Sequence, residues 1–476
     1  VPIYKAPVEE VVFLLSDVFD VARYDNLPGF ADASPDIVAA ILGEAAKLSE
    51  EVAQPLNRSG DQEGCRRRDD GGVATPKGFR AAYKQYADGG WMGISAPAEF
   101  GGQGLPSVLT VVINEFLNAA NLAFSMYPGL TQGAIAAILT HGSAEQKTRY
   151  LPQMIEGRWT GTMNLTEPHC GTDLGLLRSK AAKQPDGSYR ITGTKIFISA
   201  GEHDLADNIV HLVLARIEGA PAGIRGVSLF IVPKFVPAAD GAPGARNAVS
   251  CGSIEEKMGI HGNATCVMNY DGATGWLIGE ENRGINAMFT MMNEARLAVG
   301  LQGVAVAEAA TQRAVAYARE RRQGRRPGME ASASVPIIEH VDVRRMLITM
   351  RALTRAARTI CYATAVALDR AALAGDAATR QAGQERAALL TPVAKAFSTD
   401  IGSEVASLGI QVHGGMGFIE ETGAAQHYRD ARIAQIYEGT NGIQAIDLVT
   451  RKVPMSGGGV VKSYLGELRG TIDAVR

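Results

Sequence analysis

Leu165-Thr166-Glu167-Pro168-His169-Cys170-Gly171-Thr172-Asp173 stands where the texture of the chain changes. On its N-terminal side, from about residue 36 to 160, the apolar pattern is mostly helical. Residues 36–51 are rich in Ala, Leu and Glu, residues 76–89 and 109–120 read as further helices, and the polar, charged run 60–72 reads as a loop. On its C-terminal side the pattern shortens. Pro185-Asp186-Gly187 is a turn, Tyr189-Arg190-Ile191-Thr192 and residues 195–199 alternate as strands do, and residues 209–215 and 227–232 are β-branched runs of strand length. Residues 238–245, rich in Pro, Gly and Ala, read as a mobile loop. Several short strands with no long helix between them point to a small antiparallel β-domain over 161–282.

Beyond residue 283 the helical pattern returns. Val343, Met346, Leu347, Met350 and Leu353 lie on one helical face, and residues 351–400 hold 16 alanines and no tryptophan. Three or four long Ala-rich helices fit a tightly packed bundle. The fold class is therefore α+β: an N-terminal helical domain (36–160), a central small antiparallel β-domain (161–282) and a C-terminal helical bundle (283–452). An arm (1–35) precedes them. A Gly-rich linker and the start of a further helix (453–476) follow.

Composition narrows the function. With 476 residues, 46% hydrophobic and 20% charged, the chain can build a large core, and disorder is excluded as its main state. A net charge of -3 argues against a dedicated nucleic-acid binder. The five cysteines, at 65, 170, 251, 266 and 361, are scattered and form no CxxC, which speaks against a disulfide framework or a zinc ribbon. The eight histidines show no ligand spacing, so no metal is expected. No apolar run reaches the ~18 residues of a membrane span and no signal-type segment stands at the start, so a cytoplasmic setting without membrane insertion is expected. Neither GxGxxG between a strand and a helix nor GxxxxGK[ST] occurs, so any dinucleotide needs another architecture. The 54 glycines are about 11% of the chain against a usual ~7%, and they are not periodic.

Five other segments accompany the opening stretch. They are Glu99-Phe100-Gly101-Gly102-Gln103-Gly104, Gly193-Thr194-Lys195-Ile196-Phe197-Ile198-Ser199, Glu256-Lys257-Met258-Gly259, Gln411-Val412-His413-Gly414-Gly415-Met416-Gly417-Phe418 and Gln435-Ile436-Tyr437-Glu438-Gly439-Thr440-Asn441-Gly442-Ile443-Gln444. Each alone is a weak match. Six in order, spanning about residues 36 to 452, resemble the FAD-dependent acyl-CoA dehydrogenases. That chemistry needs a carboxylate base beside the substrate α-carbon, shielded from bulk water, a polarised thioester carbonyl, and a flavin to accept the β-hydrogen as hydride.

The resemblance implies roles residue by residue. Glu438 matches the family's catalytic base. Some members carry the base on an earlier helix, at the position of Ala295, and an alanine there cannot serve; the adjacent Glu294 should point elsewhere. Met163, Thr166, Thr172, Phe197 and Ser199 match positions around the flavin, with Met163 standing where relatives often carry an aromatic residue. Thr172 also lines the substrate face. Arg321, Gln411, Gly414, Gly415 and Thr440 match contacts to FAD, those of Arg321 and Gln411 reaching across subunits, which implies a homodimer or homotetramer. Asn293 and Arg296 match the helix beside the acyl-CoA. The sequence departs from the family after Arg321: Gly324 and Val341 replace a usual Phe and Gln, and residues 327–336 read as an insertion.

The N-terminal arm and that insertion resemble a longer bacterial branch, which includes 3-methylmercaptopropionyl-CoA dehydrogenases of dimethylsulfoniopropionate breakdown. Members of that branch carry a further C-terminal helical region, so this chain reads as shortened at Arg476. The resemblance implies a short acyl-CoA with a β-methylthio group as substrate and an electron-transfer flavoprotein or similar acceptor as partner. A generic short- or medium-chain acyl-CoA, a flavin oxidase or monooxygenase on the same fold, and a non-catalytic acyl-CoA-binding protein stay open at this point.

Overall fold

The computed structural model describes residues 4–238, 241–326, 330 and 333–475, and of residue 293 the backbone only. The chain packs into two compact units, each assembled from separated stretches. One holds residues 1–50, 105–120 and 296–476; the other holds 51–104 and 121–295.

The second unit is built around a sheet of seven strands: β1 Trp159–Asn164, β2 Lys180–Lys183, β3 Tyr189–Ser199, β4 Asn208–Ile217, β5 Val227–Pro233, β6 Val249–Ile254 and β7 Thr265–Ile278. The order is β6-β7-β3-β2-β4-β1, and β5 pairs with both β7 and β4. Strands β7, β3, β2, β4 and β5 therefore close into a ring. Most pairs are antiparallel, as the short strands imply, but β1 and β2 run parallel to β4. The residues read as two strands, 189–192 and 195–199, form one strand that passes through Gly193, where an added Cβ would lie 2.4 Å from Ser179 Oγ. Strands β4 and β5 are the apolar runs of the sequence, and β5 is buried along its whole length. Such runs fit strands covered on both faces.

Two sequence expectations change here. The run 60–72 is not all loop. The helix Pro55–Glu63 extends into it, and Arg66–Arg67 pairs with Val73–Ala74. Of the expected 238–245 loop, residues 239 and 240 lie outside the described residues, and Pro243–Arg246 pairs with Phe235–Pro237. The helix Leu122–His141 is long and apolar enough by composition to cross a membrane, which the sequence reading passed over. Some 72% of that window is buried within the protein, so it serves as a core helix.

The first unit is helical. Its long members are Val341–Leu373, Ala377–His413 and, from Arg296 on, the later part of Gly284–Glu320. Met346, Leu347 and Met350 are buried on the face the periodicity marked. Two of these helices touch backbone to backbone. A Cβ on Gly303 would lie 2.2 Å from Ser398 O, and one on Gly300 would lie 2.8 Å from Ala394 O. Glycine has no Cβ to hold the helices apart, so Lys395 comes against the turn that carries Arg296 and Gly300. The N-terminal arm is tied to the bundle by charge. Fully buried Arg358 donates to Glu115 Oε1 at 2.8 Å, Glu308 Oε2 at 2.8 Å and Glu10 Oε1 at 2.7 Å. The expected linker near 454–459 ends sooner than read, and a helix runs over Gly459–Val475. Of the expected insertion, residues 327–329, 331 and 332 lie outside the described residues; Arg322 bridges to Pro336 beside them.

Candidate active site

Glu438 and Gly439 are consecutive left-handed residues, with φ of 56° and 82°. Glycine takes this conformation freely. A glutamate does so at a cost of about 1–2 kcal/mol, so the surrounding structure must impose it. That structure is visible on both sides. Tyr437 OH donates to Gln302 Oε1. Gln444 Nε2 donates to Gly439 O at 3.0 Å. Thr440 caps the helix Asn441–Asp447, its hydroxyl accepting from Ile443 N at 3.2 Å. A Cβ on residue 439 would lie 2.8 Å from Gln444 Nε2, and its φ of 82° is a conformation that favours glycine.

The Glu438 side chain is partly buried, and among the described residues no group donates a hydrogen bond to its carboxylate. Burial raises its pKa to about 7, against the opposing charges of Arg296 and Lys395. Arg296 is buried and pairs with buried Asp447 at 3.6 Å. Lys395 is fully buried and donates to Asn441 Oδ1 at 2.9 Å. Burial lowers its pKa to about 8, while Glu438 and Asp400 pull it upward. A partly buried carboxyl with a pKa near neutrality and no donor fixed to it among the described residues can take up a proton and release it.

The residues matched to the flavin ring lie in the other unit. Phe197 combines φ 58° with 60% exposure, which is unusual for an aromatic residue on a strand. Next to it, Ile196 N donates to Thr166 O at 2.9 Å, tying β3 to the loop after β1. Ser199 lies at the end of the same strand and its carbonyl accepts from Thr162 Oγ1 at 2.7 Å. Thr172 is exposed on the loop, whereas Met163 is 8% exposed and belongs to the sheet core. The loop is held by a saturated carboxylate. Glu167 accepts from Lys195 Nζ (2.8 Å), Ser179 Oγ (2.6 Å), Ser179 N (3.0 Å) and Arg178 N (2.6 Å). An exposed aromatic ring on strained backbone, beside a pinned polar loop, fits a planar group laid against it.

The third set lies in the helical unit. Arg321 follows the helix Gly284–Glu320 and is exposed. Gln411, Gly414 and Gly415 are exposed at the end of Ala377–His413, where Gly414 has φ 60°. Phe418, 85% exposed, stands beside them. The Asn293 side chain lies outside the described residues. For metals, Glu167, His169 and Cys170 bring ligand atoms within 4.8 Å of one another. Both Glu167 oxygens already accept hydrogen bonds, and a cation there would displace Lys195, so the trio serves as a structural knot.

Sequence reasoning missed Lys395, Asn441, Gln444 and Asp447, which shape the surroundings of Glu438. One signal was available: Lys395 is the only charged residue between Ala387 and Thr399.

Comparison with known proteins agrees with this architecture. Three family models match the chain: the acyl-CoA dehydrogenase N-terminal domain over residues 44–158, the middle domain over 162–273 and the C-terminal domain over 282–453. The chain is 49% identical to a 3-methylmercaptopropionyl-CoA dehydrogenase of Ruegeria pomeroyi over 461 residues, 97% of this chain and 78% of that protein. It is 35% identical to a butyryl-CoA dehydrogenase of Syntrophomonas wolfei over 477 residues, 98% and 78% of the two. Among solved structures, a Bacillus anthracis acyl-CoA dehydrogenase complexed with FAD superposes with a TM-score of 0.73 at 26% identity, covering 88% of this chain and 69% of that one. With its domains matched in order and a relative 49% identical along almost its whole length, the chain belongs to the acyl-CoA dehydrogenase family.

Proposed function

We propose that this FAD-dependent acyl-CoA dehydrogenase uses Glu438 to remove the α-proton of 3-methylmercaptopropionyl-CoA, forming the α,β-unsaturated thioester. One observation carries the assignment of the base. Glu438 is a partly buried carboxyl whose pKa burial raises to about 7, with no donor to it among the described residues, on a backbone conformation that costs energy to hold. Phe197, Thr166, Thr172 and Ser199 would hold the isoalloxazine end of the cofactor, with Arg321, Gln411, Gly414, Gly415 and Thr440 holding its nucleotide end. When bound, the flavin would supply the acceptor for the β-hydrogen as hydride, and a protein electron carrier is the partner this chemistry calls for.

The protein's own part is binding, orientation and proton handling. The Glu438–Gly439 turn fixes the direction of the carboxylate. Gln444 and the Thr440 cap keep that turn from relaxing. Arg296 and Lys395 oppose the burial that favours the protonated form of Glu438, holding its pKa back toward neutrality. Cross-subunit contacts by Arg321 and Gln411 make the functional state a homo-oligomer. The methylthio substrate is supported by the 49% identical relative, whose name carries that substrate.

The test is anaerobic flavin bleaching with a panel of acyl-CoAs that includes the methylthio compound and butyryl-CoA. The methylthio thioester should bleach fastest in the native protein. Glu438→Gln should slow bleaching by about 10²–10⁴-fold while retaining flavin; bleaching at the native rate would overturn the base assignment.

A further inference from the structure

We infer that Lys395 is a positioning residue for the base: its buried ammonium, anchored on Asn441 three residues beyond Glu438, holds Glu438 in its proton-accepting form. This rests on the reading of Glu438 as the base and adds a residue to it.

Lys395 has no exposed side-chain surface, although a lysine on a helix ordinarily extends to water. It lies at the close crossing of two helices, where a Cβ on Gly300 would be 3.3 Å from Lys395 Cα. The stem cannot swing outward there. Its ammonium donates to Asn441 Oδ1 at 2.9 Å. Asn441 is in turn fixed: its Nδ2 donates to Asp400 Oδ1 at 2.7 Å, Thr399 Oγ1 at 3.0 Å and Ala396 O at 3.2 Å. A neutral amide oxygen does not balance a buried positive charge, so the balance must come from nearby carboxylates.

The charged groups that bear on Arg296, Lys395 and Glu438 come from three elements. From Gly284–Glu320 comes Arg296. From Ala377–His413 come Lys395 and Asp400. From the segment after Thr440 come Asp447, which pairs with Arg296 at 3.6 Å, and Arg451, which reaches Asp447 at 3.3 Å and is largely exposed. Tyr437, next to Glu438, is engaged with Gln302. Arg296 thus already has a carboxylate of its own in Asp447, and Asp400 is bonded to Asn441 and to Gln435 at 2.7 Å. Among the described residues Lys395 makes no direct ion pair, and of the two carboxylates that raise its pKa Glu438 acts more strongly than Asp400. This explains why a carboxyl without hydrogen-bond donors still ionises near neutrality: burial pushes it up, and two cations hold it back.

The test uses the holoenzyme in three variants. Lys395→Gln keeps a donor for Asn441 without charge, Lys395→Met removes both, and Lys395→Arg restores charge. The first readout is the pH dependence of single-turnover bleaching. In native protein the rate falls as pH drops through the Glu438 pKa. In both neutral variants that limb should move up by about 1–3 pH units, and in Lys395→Arg it should return toward the native position. The second readout needs no turnover: ¹³C NMR titration of carboxyl-labelled glutamate, with the Glu438 signal assigned by its loss in Glu438→Gln. It should show the same displacement. A folded neutral variant with an unmoved limb and an unmoved signal overturns the inference. If Glu438→Gln instead bleaches normally, it is the assignment of the base that has failed.

Discussion

The protein holds two couples of glutamate and buried lysine, and they do opposite things. In the β-unit, Glu167 meets Lys195 at 2.8 Å and also accepts from Ser179 and from two backbone amides. Burial alone would raise its pKa, but those donors and the lysine charge outweigh it and hold the carboxyl at about 2. In the helical unit, the Lys395 charge acts on Glu438, but Glu438 accepts from no described donor, and burial holds it near 7. The lesson is that a buried cation alone does not fix a carboxylate. Hydrogen bonds do, and they immobilise it as well. The loop at Glu167 has to stay in place. As the proposed base, Glu438 has to change protonation state, and no described donor is fixed to it.

The largest effect should come from Glu438→Gln, which lowers the bleaching rate by about 10²–10⁴-fold, measured in single turnover. The same change at Glu167 should leave chemistry intact in whatever fraction retains flavin; equal losses of intrinsic rate at both positions would break the comparison. Next comes Lys195→Met, which strands a buried carboxylate. It should cost about 3–5 kcal/mol in urea unfolding, most of it recovered when Glu167→Gln is added.

Gly303→Ala tests the helix crossing that brings Lys395 toward the base. Its Cβ would meet Ser398 O at 2.2 Å, and the cost should be about 1–3 kcal/mol. The bleaching limb should shift with it, because Lys395 moves. The smallest effect sharpens the contrast by sign. Glu167 has a depressed pKa, so its stabilisation is present above about 4.5 and is lost as pH falls toward 2. Glu438 has a raised pKa, so its contribution is present below about 4.5 and is lost as pH rises through 7. Glu438→Gln should therefore be more stable than native protein at pH 8, by on the order of 1 kcal/mol after solvent screening, and lose that advantage by pH 4. Urea midpoints across this range give the answer.

Much of the fold was legible in local pattern. The face of Met346, Leu347 and Met350 is buried as its spacing demands, and the β-branched runs near 209 and 227 are interior strands. Residues 60–72 were misread because their polar composition resembles a loop, whereas Gly60 is buried in a helix end against the ring of Phe79. The parallel placement of β1 and β2 on β4 had no local signature, since strand direction is decided by the path between strands. Of the site, Glu438 was legible because a motif carries it. Lys395 was not, because an isolated lysine in an apolar run reads equally well as a misplaced surface charge.

By itself the sequence determined element types, the helical, β, helical order along the chain, the family, and the turn in which Glu438 precedes Gly439. These depend on neighbours within a few residues. Only the tertiary structure decided that Glu167 is saturated and Glu438 is not, that Phe197 stands exposed on strained backbone, and that Arg296 and Lys395 lie near the base. A pKa is set by what folds around a carboxyl. Here that means groups tens to more than a hundred residues away along the chain, brought in by helices whose glycines let the backbones touch.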